Sequence, residues 1–160
     1  MIRLIKIYDK FEENLLYMSL VFSVTLIFVQ VVMRYVFSNS LSWSEEVARY
    51  VFIWQTWIGA SYAVRKKRHL RVEALVDIFH GMPRKILELI VLALWIFFGC
   101  FLVFKGYQLT MMISMRGQIS AALGMPMAVA YAAVPVGSFF MTVRLIIRAY
   151  SVFTDREAIG

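Results

Sequence analysis

Cysteine is almost missing from this chain. Cys100 is the only one in 160 residues, which excludes an intrachain disulfide and a cysteine-based metal cluster. It lies in an apolar run and reads as a small packing residue. Histidine is nearly as scarce. His69 and His80 both fall in one connector, so no span offers the paired axial ligands that a membrane haem would need. Proline is limited to Pro83, Pro126 and Pro135, and acidic residues number 10 against 17 basic ones. No HExxH, CxxC, GxSxG, Walker or Rossmann pattern occurs. The residues offer no catalytic constellation, no metal site and no cofactor site.

Apolar residues, by contrast, make up 61% of the chain, with a mean hydropathy of +0.72. Soluble domains sit nearer half, and a domain of this size buries too little of its surface to hide the excess. Lipid is the solvent this composition suits. A net charge of +7 in a soluble protein would point to nucleic acid. Here the bases cluster at the ends of apolar runs, the pattern of membrane orientation, and no nucleic-acid partner is expected. The expected fold is a single all-α integral membrane domain over residues 1–160 with four spanning helices, each needing roughly 20 mostly apolar residues. They are placed at 15–37, 44–64, 86–105 and 125–147. The second carries Glu45, Glu46 and Arg49 within its first six residues.

The loops set the orientation. Arg3, Lys6 and Lys10 precede span one. Arg65, Lys66, Lys67, Arg68, Arg71, Arg84 and Lys85 lie between spans two and three. Arg144, Arg148 and Arg156 close the chain. Only Arg34, Arg49, Lys105 and Arg116 fall on the other side. The positive-inside rule then places both termini in the cytoplasm. Span one is too long for a signal-peptide core and is expected to stay as an anchor. His69 belongs to the same basic block. In residues 70–82, Leu75, Ile78, Phe79 and Met82 recur at helical spacing opposite Arg71, Glu73, Asp77 and His80. That pattern predicts an amphipathic helix on the cytoplasmic lipid surface, and residues 2–13 predict a second, weaker one. Pro135 predicts a kink in span four. Gly59/Ala63, Ala128/Ala132 and Ala133/Gly137 are small residues four apart, spaced for close helix approach.

The charged start of span two holds the candidate site. Ser42 and Glu45 fit a capping box, and Trp43 and Tyr50 suit the interfacial aromatic belt. Arg49 lies sixteen residues before Arg65, or about 24 Å of helix. This places it at or inside the outer edge of a hydrocarbon core about 30 Å thick. An unpaired arginine there costs up to about 3 kcal/mol. Glu45 at i−4 and Glu46 at i−3 are both in reach, which leaves one carboxylate over, for Arg34 or for a base in another protein. Three readings stand: pairing within the chain, docking to a partner membrane protein, and ion coupling. Against the last, no acidic residue lies mid-membrane. Gln30, Gln55 and Thr56 are neutral and suit inter-helix hydrogen bonds. Glu88 follows Arg84 and Lys85 closely enough to pair with them. Two other classes of function stay in view. A self-contained multidrug-type transporter would need a carboxylate in a span, for which Glu13 is the sole candidate. A redox-complex anchor would need paired intramembrane histidines.

Trp43-Ser44-Glu45-Glu46-x-x-Arg49, then Trp54 and Trp57, then Gly59-Ala60, a basic stretch and His69-Leu70-x-Val72-Glu73 resemble the small membrane subunit of the tripartite ATP-independent periplasmic (TRAP) transporters, the Q or DctQ-like family. The likeness is strongest over residues 43–77. Glu73 stands where aspartate is more usual, a change that keeps the charge. The resemblance implies a large multi-span membrane subunit as partner, carrying the solute and sodium sites. It also implies a periplasmic binding protein that delivers an organic acid, such as a C4-dicarboxylate or a sialic acid. The small subunit would brace the large one in the bacterial inner membrane, in contact with lipid. The residues expected at that interface are Arg34, Trp43, Glu45, Glu46, Arg49, Trp54, Trp57 and Gly59.

Overall fold

A computed structural model describes residues 2–65 and 82–154. The basic run from Lys66 through Arg68, His69 and Arg71 and the surface helix expected at 70–82 lie outside the described residues, apart from Met82. Among the described residues five helices form: α1 (Ile2–Tyr35), α2 (Ser42–Arg65), α3 (Met82–Met115), α4 (Ala128–Tyr131) and α5 (Ala133–Phe153). Among the described residues the only strand-like pairing is the single bridge between Ile119 and Pro126.

Two helices outrun their expected spans. α1 and α3 each have 34 residues, or about 51 Å, well beyond the ~30 Å of a hydrocarbon core. Residues 2–13 are therefore the first turns of α1 and form no separate surface helix. The chain has no glycine or proline before Gly59, so nothing breaks the helix on its way into the span. α3 likewise runs ten residues past Lys105 and stops where Gly117 takes a φ of +60°, a backbone region glycine enters freely. α1 ends at a tighter reversal: Ser38 has φ 51°, and the Asn39 N–H donates to the Met33 carbonyl at 3.0 Å.

Of the four expected spans, the second, with three charges in its first six residues, is the one that hydropathy sets apart. Among the described residues, three stretches are long and apolar enough to cross a membrane: Glu12–Tyr35, Lys85–Met115 and Ala128–Phe153. α2 has the length, at 24 residues, but its charges and its Gln55, Thr56 and Ser61 keep it below the other three in hydropathy. The last stretch covers both α4 and α5. The break at Ala132 follows from Pro135, whose missing N–H leaves the Tyr131 carbonyl without its helical partner. The helix resumes with the Val136 N–H donating to the Ala132 carbonyl at 3.2 Å. Pro126 stands before α4, in the bridge with Ile119, rather than in a first helical turn.

The long helices pack as a row, α1–α2–α5–α3. Glycines set two of the seams. A Cβ on Gly137 of α5 would come within 2.6 Å of the Trp57 Cβ on α2. On α3, a Cβ on Gly99 would strike Thr142 Oγ1 at 2.2 Å, and one on Gly106 would meet the Pro135 ring at 3.1 Å. Backbones in contact at these points gain dispersion contacts that larger residues would deny them, the form of association that membranes favour. Val64, Leu92, Met141 and Leu145 are buried together where α2, α3 and α5 meet. The edge helices α1 and α3 turn rows of bulky residues outward, among them Phe22, Phe28, Leu94 and Phe97. Such faces suit lipid.

Candidate functional site

Charged side chains gather at the two ends of this row. At the end carrying the 36–41 and 116–127 connections, called here the loop end, the carboxylate of Glu45 meets α1. Arg34 Nη2 pairs with Glu45 Oε1 at 2.8 Å, and Gln30 Nε2 donates to the same oxygen. Arg34 also reaches Ser40 Oγ at 3.3 Å. The capping box expected of Glu45 is thus replaced by a bond between helices. Neutralising a guanidinium outweighs satisfying one backbone N–H that solvent or headgroups could serve.

Glu46 is bound to this chain's own loop. Its Oε2 accepts from the backbone N–H of Ala122 at 2.9 Å and of Leu123 at 3.0 Å, and Tyr50 Oη donates to Oε1 at 3.4 Å. The loop presents these amides because it is folded on itself. The Ser120 N–H donates to the Met125 carbonyl at 2.8 Å and the Gly124 N–H to the Ser120 carbonyl at 3.2 Å, while the Met127 N–H reaches the Gln118 carbonyl at 2.9 Å. Two successive amides turned the same way make a concavity for an anion, and Glu46 fills it. Trp54 adds a second tie, its Nε1 donating to the Val129 carbonyl at 3.1 Å. Trp57 is packed on Gly137. Both tryptophans therefore serve the fold of this chain. Trp43 stays 46% exposed.

Arg49 is left over. With Glu45 on Arg34 and Glu46 on the loop, the guanidinium has no carboxylate in ion-pair range among the described residues, and the side chain is exposed. Of the three readings left open by the sequence, pairing within the chain was expected through Glu45 or Glu46, and the fold joins Arg49 to neither.

At the opposite end, where α1 begins and α5 finishes, two arginines of α5 pair with carboxylates of other helices. Arg144 of α5 pairs with Glu12 of α1 and donates from Nη1 to the Ser61 carbonyl of α2 at 3.3 Å. Glu12 is only 4% exposed. Arg148 pairs with Glu88 of α3 at 3.0 Å, in place of a sole pairing of Glu88 with its helix neighbours Arg84 and Lys85. Sequence reasoning weighed Glu13, which is exposed, and passed over Glu12. A signal was present. Glu12, Ser19, Ser23, Gln30 and Arg34 all fall on one helical stripe of α1. Ser23 and Gln30 are buried too. In a helix otherwise made for lipid, a polar stripe marks the side that faces protein.

A groove of about 330 Å³ runs between α1, α2 and the 123–129 segment, lined by Leu15, Val47, Trp54, Gln55, Leu123 and Val129 among others. No charged side chain lines it, so it offers an organic anion no countercharge. No group of three or more potential metal ligands occurs among the described residues.

The family model described as "Tripartite ATP-independent periplasmic transporters, DctQ component" matches residues 23–155. The chain is 24% identical to the C4-dicarboxylate TRAP transporter small permease protein DctQ of Vibrio cholerae serotype O1, covering 92% of this chain and 73% of that protein. It is 26% identical to the ectoine TRAP transporter small permease protein TeaB of Halomonas elongata over 102 residues, covering 64% of this chain and 53% of that one.

Proposed function

We propose a role for this chain from one premise: it belongs to the DctQ component family of the tripartite ATP-independent periplasmic transporters. It is a small permease subunit. It sits in a bacterial inner membrane with both termini in the cytoplasm, and α2 crosses the bilayer between α1 and α5. A large membrane subunit carries the solute, driven by a sodium gradient, and a periplasmic binding protein delivers it. This chain braces the large subunit and takes no part in binding the solute. The solute is an organic acid of the C4-dicarboxylate or sialic acid class, or a compact relative such as ectoine.

The observation that carries the bracing role is where the charges go. Glu12, Glu45, Glu46 and Glu88 each bind another element of the same chain, so they fix helices in place and are not free to carry an ion. A transporter complete in itself places an ionisable or broken-helix site in its bundle. The two relatives are named for different solutes, as expected if solute choice resides in other chains.

The test is reconstitution of this chain with the large subunit and the binding protein of the same transporter into proteoliposomes. Uptake of a C4-dicarboxylate should require all three and an inward sodium gradient. Solute movement by this chain alone, or its purification in mild detergent only as a homo-oligomer, would show the assignment to be wrong.

A further inference from the structure

Arg49 sits on a face of α2 that the fold leaves uncovered. Arg49, Phe52, Thr56 and Gly59 recur at i, i+3, i+7 and i+10, one side of a helix. Arg49 and Thr56 are exposed and Phe52 is 65% exposed. The opposite side of α2, from Val47 to Ile58, lines the apolar groove. Depth follows from the neighbours. Arg34 is in the last turn of α1 and meets Glu45, so that pair marks the loop end of the bundle. Arg49 is one turn deeper, about 6 Å along the axis.

We propose that this face receives a transmembrane helix of the large membrane subunit, and that a carboxylate on that helix pairs with the Arg49 guanidinium. The inference rests on reading the chain as a small permease subunit. A guanidinium below the membrane edge is retained where it has an anion to meet, and both candidate anions of its own helix are occupied elsewhere. Charge complementarity therefore asks for an acid from outside the chain.

Gly59 supplies a separate argument. The glycines Gly99, Gly106 and Gly137 are explained by contacts inside this chain, where a Cβ would collide. Gly59 is not: a Cβ there would meet only Leu16 Cδ2, at an ordinary 4.0 Å. Glycine inside a helix is less favourable than alanine by about 0.5–1 kcal/mol, and nothing in the packing among the described residues requires it. A second backbone approaching closely from outside would. The composition of α2 points the same way. Among the described residues three stretches are long and apolar enough to cross a membrane, and α2 is the long helix that is not, so its open face suits a protein cover.

The test uses the complex of this chain with the large subunit, co-expressed in cells. A photoreactive amino acid at Phe52 should cross-link to one segment of the large subunit. Mass spectrometry should place an aspartate or glutamate within about one helical turn of the attachment point. Arg49→Met should reduce the large subunit recovered with this chain about tenfold, and Arg49→Lys should keep most of it. Gly59→Leu should reduce recovery similarly while the isolated small subunit melts as before, which separates an interface effect from misfolding. A cross-link to phospholipid alone, or to a second copy of this chain, overturns the proposal, as does full recovery with both Arg49→Met and Gly59→Leu. Should the unaltered chain capture no large subunit at all, both this proposal and the functional reading fall. Recovery of the large subunit with a lipid-only cross-link overturns this proposal alone.

Discussion

The two ends of the helix row use the same residue types to opposite effect. Where α5 finishes, two carboxylates meet guanidiniums on other helices: Glu12 with Arg144, and Glu88 with Arg148. At the loop end, two adjacent carboxylates face one arginine of α1 and a pair of backbone amides, and Arg49 is left without an acid. At one end, ion pairs and a carbonyl contact tie α1, α2, α3 and α5 together. The other leaves Arg49 and Arg116 without a carboxylate among the described residues. A helix bundle needs the first to be stable. It needs the second only if something else completes it.

That contrast can be broken most forcefully at Arg144. Arg144→Met should destabilise the subunit by about 3–5 kcal/mol, because it strips the cation from the nearly inaccessible Glu12. Thermal unfolding in detergent reads this, and a melting curve equal to the unaltered protein's would mean that end is not what stabilises the bundle. Gly137→Ala should follow at about 1–3 kcal/mol. The new methyl meets Trp57 Cβ at 2.6 Å and its backbone at 3.0 Å, and overpacking of that kind has costs of this order. Gly59→Ala is its counterpart, and here the isolated subunit should gain about 0.5–1 kcal/mol. A loss there would mean the open face is already packed. At the loop end, Arg34→Ala should cost under about 1 kcal/mol, since both partners are substantially exposed. A loss as large as that of Arg144→Met would erase the distinction between the ends. Smallest of all in global stability is Glu46→Gln. Its expected signature is local: faster hydrogen exchange, severalfold, at the Ala122 and Leu123 amides with little change elsewhere. Unchanged protection at those two amides would mean the loop holds its shape without Glu46.

How much of this was legible beforehand differs by element. The apolar runs of α1, α3 and the final stretch stand out because lipid imposes one requirement on about 20 successive residues, and length and hydropathy report it directly. α2 was doubtful for a reason that proved informative, its three early charges. Helix ends were read less well. Residues 2–13 and 106–115 continue neighbouring helices because nothing in them stops one, and the expected spans had been drawn to membrane thickness rather than to helix breakers. Ala133/Gly137 were correctly placed at a close seam. Gly99 and Gly106, seven apart on α3, were missed because the pattern sought was four apart. Trp54 and Trp57 drew attention as a possible interface, yet they tie α2 to Val129 and Gly137. A tryptophan's pattern along a helix does not say whether its neighbour is the same chain or another.

By itself the sequence determined the solvent and the family. Sixty-one per cent apolar residues demand lipid wherever the helices lie, and the order of residues from Trp43 to Glu73 is local enough to be recognised without a fold. Tertiary structure alone decided who pairs with whom. On one helix, Glu45, Glu46 and Arg49 are near enough to satisfy one another, and spacing cannot say otherwise. Only when α1 brings Arg34 to Glu45, and the folded loop after α3 brings two amides to Glu46, does the arginine one turn deeper lose its neighbours. The competition is settled by groups distant in sequence, because a charge pairs with whatever the fold places closest to it in space.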